Sequence, residues 1–266
     1  MNVHALPSAE SLGVDRVLHF DSVASTMDEA HAAARDGAPA GLLVLADRQR
    51  AGRGRGRKSW TSAHGAGLWM TVLERPQEAS MLRVLSLRIG LAMAEALEPF
   101  AGGAIGVKWP NDLYTADGKL AGILIEARWR EQQVDWVAIG VGVNLRVPED
   151  VSGAAALRTG VHRHEVLRAI VRAVRGSVHA GAVLTTAEVG SWKRRDVAAG
   201  RRIVLPVPGV VVGVSNEGAL LVLPDGHAQP TAVHAGSMEF ADDIAARNPD
   251  GGDAVRTLPN TTELSC

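Results

Sequence analysis

The chain has 266 residues, of which 46% are hydrophobic and 21% are charged, and its formal net charge at pH 7 is −1. This predicts a globular protein with one α/β core and a small second domain, and it argues against a chain that as a whole binds nucleic acid or a membrane surface. The single cysteine, Cys266, excludes internal disulfides and cysteine metal sites, and no apolar run approaches the roughly 20 residues that span a bilayer, so we expect a cytoplasmic protein without a membrane segment.

The first half of the chain alternates between strand and helix patterns. Apolar periodicity predicts strands over residues 16–20, 41–46 and 67–73, and helices over residues 26–35 and 81–97. The pair Thr26 and Glu29 has the spacing of a capping box at the start of the first helix. Residues 51–60 (AGRGRGRKSW) connect two of the predicted core strands.

The second half predicts a hairpin, one more helix and a small β module. The elements are strands over residues 105–109, 119–127 and 134–145, and a helix over residues 161–178. We expect turns at residues 110–112 (PND) and 129–133 (WREQQ). From about residue 200, short strands between turns predict a β-barrel-like module, and residues 244–266 lack an apolar period and are expected to be disordered.

The Gly-Arg segment at residues 51–60 is suited to binding anions. Its glycines alternate with Arg53, Arg55 and Arg57, and Lys58 follows. Glycine lets backbone N–H groups approach a ligand, while guanidinium groups pair with carboxylate or phosphate, so we expect a loop that is ordered by an anion. Such segments are also typical of nucleic-acid binding, but the net charge of −1 and the position between core strands argue against that function.

Four segments resemble, in their order, the hallmarks of the biotin protein ligases. They are Ser25-Thr26, the loop GRGRGRKSW after Gln49, the pair KWPNDL and KLAGIL, and the strand end GVGVN at residues 140–144. The resemblance covers residues 16–242. It implies an α/β (α+β) fold with a mixed-sheet catalytic domain of the class II synthetase-like biotin/lipoate ligase type, and a small C-terminal SH3-like β-barrel. The expected divisions are an N-terminal extension over residues 1–15, a catalytic domain over 16–198, a barrel over 199–243 and a tail over 244–266.

The resemblance also implies a reaction. Such an enzyme activates biotin with ATP and Mg²⁺ as biotinyl-5′-AMP and transfers the biotinyl group to one lysine of a biotin carboxyl carrier protein or domain. Only about twenty residues precede the first convincing structural segment, fewer than an N-terminal DNA-binding domain needs, so we expect a stand-alone ligase that binds no DNA. The oligomeric state stays open, a homodimer included. A lipoate protein ligase is the nearest alternative, because it shares the fold and the acyl-adenylate chemistry.

The matching positions imply roles for individual residues. Catalytic roles fall to Arg55, Lys119 and Asp112. Biotin is expected to contact Ser25, Thr26, Gln49, Gly52, Arg53, Lys119, Gly122 and Gly140. ATP is expected to contact Arg55, Lys58, Trp60, Lys108, Asn111, Lys119 and Asn144, and no residue is assigned as a metal ligand.

Several of these assignments leave alternatives. Lys119 opens an otherwise apolar strand, which favours a functional charge. Asp112 either orients a lysine, helps to deprotonate the incoming amine or forms an Asx turn. The family's Ser-Thr-Asn reads Ser-Thr-Met here, with Met27 in the third position, and the second basic position of its loop falls on either Arg57 or Lys58.

Overall fold

The computed structural model describes residues 7–76 and 78–242. The first part of the chain forms α1 (Ala9–Leu12), β1 (Arg16–Val23), α2 (Thr26–Arg35), β2 (Leu42–Gln49), β3 (Gly67–Glu74) and α3 (Leu82–Ala101). The middle part forms β4 (Gly106–Lys108), β5 (Asp112–Thr115), β6 (Gly118–Arg130), β7 (Gln133–Asn144), α4 (Arg163–Val178) and α5 (Thr186–Arg195). The last part forms β8 (Arg202–Leu205), β9 (Gly209–Val214), β10 (Leu220–Leu223), β11 (Thr231–Val233) and β12 (Glu239–Phe240). Short 3₁₀ turns span Arg55–Arg57 and Ala79–Met81.

Strands β1 to β7 form one mixed sheet in the order β1-β2-β3-β7-β6-β5-β4. Strands β1 and β2 pair in parallel, and the other neighbours pair antiparallel. Apolar residues of α3 and α4 pack with one face of this sheet in the main core, and α2 packs with the other face. A second, antiparallel sheet has the order β11-β10-β9-β8-β12. The predicted mixed-sheet fold with a small C-terminal β module is therefore confirmed.

Several local predictions need correction. The turn of the long hairpin is much tighter than residues 129–133, because β6 continues to Arg130 and β7 begins at Gln133. The short strand β5 was missed because its four residues are too few for an alternating pattern. Helix α5 was missed because it buries only Trp192 and so has no apolar stripe. The predicted domain boundaries stay predictions, and the tail over residues 244–266 lies outside the described residues.

The predicted capping box of Thr26 and Glu29 is wrong. Ser25 is the N-cap of α2, and its hydroxyl accepts a hydrogen bond from the Met27 backbone N–H at 3.3 Å. The Thr26 side chain is buried and bonds to Gln49 instead. A tertiary contact thus takes the hydroxyl that the local pattern had assigned to the helix end.

Trp109 links the small β module to the seven-stranded sheet. This residue is buried, and its indole Nε1 donates a hydrogen bond to the Gly218 carbonyl at 3.1 Å. Trp109→Phe should lower the free energy of unfolding by about 1 kcal/mol, since the buried carbonyl loses its donor. Chemical denaturation measures this change. Trp129→Phe is the control, because that exposed indole should change stability little, and an equal effect of the two variants would contradict the prediction.

Among the described residues, no helix is both long and apolar enough to cross a bilayer.

Candidate active site

One cavity of about 760 Å³ collects most of the predicted site residues. Its walls come from the start of α2, the Gly-Arg loop, the β4–β5 turn, and strands β6 and β7. The predicted residues that line it are Ser25, Thr26, Gln49, Arg53, Arg55, Lys58, Trp60, Lys108, Asn111, Asp112, Lys119, Gly122 and Gly140. Residues 152–153 and 237–239 also line the cavity, although no motif in the sequence pointed to them. The sequence motifs are therefore brought together in one concave site.

Lys119 lies at the centre of the charged end of this cavity. Its Nζ is 2.7 Å from Asp112 Oδ2 and 5.2 Å from the centroid of the Trp60 ring. Its backbone is held on both sides, because its N–H donates to the Gly153 carbonyl and its carbonyl accepts from the Ala155 N–H, each at 2.8 Å. Both side chains of the Lys119–Asp112 pair are partly exposed, so the ammonium stays available to an anionic ligand.

The tip of the Gly-Arg loop adds two more cations. The Gly54 N–H donates to the Lys58 carbonyl at 2.7 Å, and Gly56 turns the chain with a φ of 62°. Arg55 and Lys58 both line the cavity. Burial lowers the pKa of the Arg55 guanidinium, and the carboxylate of Asp112 partly offsets this. Arg55 still carries its charge and would gain from a nearby anion.

Lys108 and Asn111 hold the wall that faces the small β module. The Lys108 Nζ lies 4.3 Å from the Phe240 ring centroid and 5.7 Å from that of Tyr114, so its charge rests against two aromatic faces. The Asn111 side chain donates from Nδ2 to the Ile123 carbonyl at 2.6 Å. This bond fixes the β4–β5 turn against β6, so one half of the Asn111 amide has a structural role.

The other end of the cavity carries an uncharged hydrogen-bond network. Gln49 Oε1 accepts from the Thr26 N–H at 2.9 Å and from the Thr26 hydroxyl at 3.1 Å, and Gln49 Nε2 donates to the Ser62 hydroxyl at 3.0 Å. The Thr71 hydroxyl donates to Thr26 Oγ1 at 2.8 Å. Sequence reasoning missed Ser62 and Thr71, although Thr71 is the only hydroxyl in the apolar strand GLWMTVLE.

Glycines on β6 and β7 allow side chains to lie close to the sheet. A Cβ at Gly122 would lie 2.9 Å from the Trp60 ring, and one at Gly142 would lie 2.6 Å from it. A Cβ at Gly140 would lie 2.9 Å from Met27 Sδ. The thioether of Met27 therefore packs against β7 at Gly140. Met27 occupies the position where the family resemblance has an asparagine.

Two predicted site residues do not line the cavity. Gly52 lies behind the loop, where its carbonyl accepts from the Trp60 N–H at 2.8 Å and a Cβ would lie 2.5 Å from the Trp60 carbonyl. Asn144 is buried, and its Nδ2 donates to the Ala155 carbonyl at 2.9 Å and the Lys119 carbonyl at 3.4 Å. Both hold the backbone that positions other site residues, and their direct contacts with ligands stay predictions.

Comparisons with known proteins identify relatives of this chain. Residues 20–144 match the model of the biotin/lipoate A/B protein ligase family. A biotin–acetyl-CoA-carboxylase ligase from Mycobacterium tuberculosis is 30% identical over 190 residues, which cover 66% of this chain and 70% of that protein. The bifunctional ligase/repressor BirA from Escherichia coli is 33% identical over 205 residues, which cover 71% of this chain.

A solved structure extends the match to the fold. The biotin protein ligase from Aquifex aeolicus, in complex with biotin and ATP, has a TM-score of 0.72 and 24% identity, covering 85% of this chain and 100% of that one. The chain spans 40–64% of the length of the bifunctional ligase/repressors that it matches.

Proposed function

The chain belongs to the biotin/lipoate A/B protein ligase family, and we propose that it is an ATP-dependent biotin protein ligase. It joins the biotin carboxylate to the α-phosphate of ATP, releases pyrophosphate, and passes the biotinyl group to one lysine of a carrier protein. The name of the Mycobacterium tuberculosis relative supports a carrier domain of acetyl-CoA carboxylase as the acceptor.

One observation carries this proposal: a single cavity has a cationic end and an uncharged hydrogen-bonding end. Lys119, Arg55 and Lys58 lie at the first, and Thr26 and Gln49 at the second. A ligand with a neutral polar ring and a carboxylate arm fits this distribution, because the ring requires fixed donors and acceptors and the arm requires a cation. Biotin has this form, and its carboxylate would reach the end where the phosphates of ATP are held.

The cations at this end of the cavity would offset the charge repulsion that opposes the first step. A carboxylate and a triphosphate repel each other, by about 4 kcal/mol for two unit charges 4 Å apart at an effective dielectric of about 20. Lys119 lies between the biotin carboxylate and the α-phosphate in this proposal and stabilises the charge that develops during attack. Asp112 orients Lys119, as their 2.7 Å contact supports.

The second step requires a neutral amine. The carrier lysine has an ordinary pKa of about 10.4 and must lose its proton before it attacks the acyl carbonyl. Attack forms the amide bond and releases AMP. Until then the mixed anhydride must be kept from water, and in this proposal Arg55 and Trp60, which line the cavity from the loop, provide that cover.

Mg²⁺ enters with ATP as part of the substrate. Mg²⁺ keeps several waters and binds through nucleotide phosphates plus one or two carboxylates, so a dedicated protein cage is not required. The described residues contain one group of three potential metal ligands, Asp21, Asp47 and His64, and that group does not line the cavity. A cytoplasmic location and the absence of duplex DNA binding are also part of this proposal, supported by the single cysteine and the net charge of −1. The oligomeric state stays open.

A direct assay tests the proposed function. The purified chain is incubated with biotin, ATP, Mg²⁺ and a biotin carboxyl carrier domain, and the carrier is examined by intact-mass and peptide mass spectrometry. We expect a gain of one biotinyl group on a single lysine and formation of pyrophosphate. Parallel reactions with lipoate and a lipoyl domain distinguish the two branches of the family. The absence of biotin transfer to a carrier that a known ligase modifies would refute the proposal.

A further inference from the structure

We propose that Glu126 is a positioning residue that anchors the Gly-Arg loop through Arg53 and thereby sets how long the activated biotinyl intermediate is retained. This inference rests on the proposed function for the intermediate, but the anchor itself is a property of the chain. Glu126 lies on β6, the strand that begins near Lys119, and it does not line the cavity. No sequence motif pointed to it.

Two carboxylates that do not line the cavity hold the Arg53 guanidinium. Arg53 Nη1 lies 2.6 Å from Asp28 Oδ1, and Nη2 lies 3.6 Å from Glu126 Oε1. Asp28 belongs to α2 and Glu126 to β6, so the guanidinium links the loop to two elements of the fold. Two carboxylates against one guanidinium leave this site with excess negative charge, which keeps Arg53 there when another anion approaches the cavity.

Because Arg53 lies at the base of the Gly-Arg loop, this link can fix the position of the whole loop. Arg53 pairs with Ser59 in an isolated antiparallel bridge, and the Trp60 N–H bonds to the Gly52 carbonyl at 2.8 Å. These contacts form the base of a small hairpin, and Arg55 and Lys58 are carried on its tip. Holding Arg53 therefore holds the base from which both cations and the Trp60 indole reach the cavity.

Glu126 is itself oriented by a buried pair. The Trp136 indole N–H donates to His31 Nδ1 at 2.9 Å, and His31 Nε2 lies 2.8 Å from Glu126 Oε2. Because an indole N–H can only donate, His31 Nδ1 must accept, so Nε2 carries the proton and donates to Glu126. The His31 and Trp136 side chains are buried, which fixes one oxygen of Glu126 and leaves Oε1 toward Arg53.

This arrangement changes the role expected for Arg53. Its resemblance-based assignment was contact with biotin, but its guanidinium is already engaged by Asp28 and Glu126. Arg55, Lys58 and Lys119 line the cationic end of the cavity, and Lys119 is paired there with Asp112. Arg53 then acts on the reaction through the loop.

Limited trypsin digestion of the full chain tests the anchor without relying on activity. In Glu126→Gln, the amide oxygen still accepts from His31, but the charge toward Arg53 is lost. We expect cleavage after Arg55 and Lys58 to accelerate by about two- to fivefold, the range for loss of one partly exposed ion pair. Asp225→Asn is the matched control, because it breaks the exposed pair with Arg202 in the small β module, at 2.7 and 2.8 Å, far along the chain from the loop.

A double variant tests whether Glu126 acts through Arg53. Arg53→Gln should accelerate cleavage after Arg55 similarly, and Glu126→Gln should add nothing in that background. The release of preformed biotinyl-adenylate, measured by filtration, should be faster by the same factor in Glu126→Gln. Unchanged cleavage would overturn the anchor, and faster cleavage with unchanged release would overturn its effect on retention. Faster cleavage in a chain that forms no adenylate would support the anchor and refute the proposed function.

Discussion

Replacing Lys119 with alanine should reduce biotinyl-adenylate formation by about 10²- to 10³-fold, the usual effect of losing one preorganised group that stabilises a developing negative charge. The Lys119 ammonium lies 2.7 Å from Asp112 at the cationic end of the cavity, and hydrogen bonds to residues 153 and 155 fix its backbone. Its removal leaves Asp112 without its partner close to the expected phosphates, so a repulsive charge is added to the lost attraction. Biotin-dependent exchange of pyrophosphate into ATP measures the step.

Two further variants give this result its meaning. Lys193→Ala removes a lysine from the exposed face of α5 and should leave the exchange rate unchanged. Lys119→Ala with Asp112→Asn should recover part of the loss, because the unpaired carboxylate is then neutral. Exchange by Lys119→Ala within tenfold of the original rate would show that other cations carry the step.

Replacing Glu188 with alanine should lower the free energy of unfolding at pH 7 by about 3 kcal/mol, since it leaves a buried arginine without its counter-ion. The Arg88 side chain is 6% exposed, and its Nε lies 2.5 Å from Glu188 Oε1. Arg88 also donates to the carbonyls of residues 181 and 183, at 2.7 and 2.8 Å. Glu188 completes the capping box of α5 with Thr185, so the same change weakens the helix start.

The loss should depend on pH. Burial raises the pKa of Glu188, but the bonds from Arg88 and Thr185 outweigh it and bring the pKa below its ordinary value of 4.5. The carboxylate therefore stabilises the folded state above about pH 4.5, and this contribution is lost as the pH falls through the lowered pKa. Urea denaturation at several pH values should show the gap between the two proteins narrowing below pH 4.5. Glu217→Ala, an exposed glutamate, is the control, and a constant gap down to pH 3 would contradict the assignment.

The fold and much of the site could be predicted because their signals are local. Long apolar strands, the β2–β3 connection and the motifs around residues 108–112 and 119–124 identified the residues that line the cavity. The remaining parts depend on distant contacts. The side chains of Ser62 and Thr71 reach Gln49 and Thr26 only after the sheet has paired, and the link from Glu126 to Arg53 joins residues 73 positions apart. Helix α5 was invisible to periodicity because its stability comes from Glu188 and Trp192 rather than from an apolar stripe.

Residues 237–239 form one wall of the cavity, and Phe240 lies against Lys108. Their position late in the chain determines when the cavity can be completed during synthesis. The large sheet ends at Asn144, so a ribosome releases all of its strands well before β12 emerges. The cavity is completed only when that late strand docks. A chain stopped before β12 would therefore have every strand of the large sheet but lack this wall of the cavity, so its affinity for the cavity's ligand would be acquired only after β12 has been synthesised.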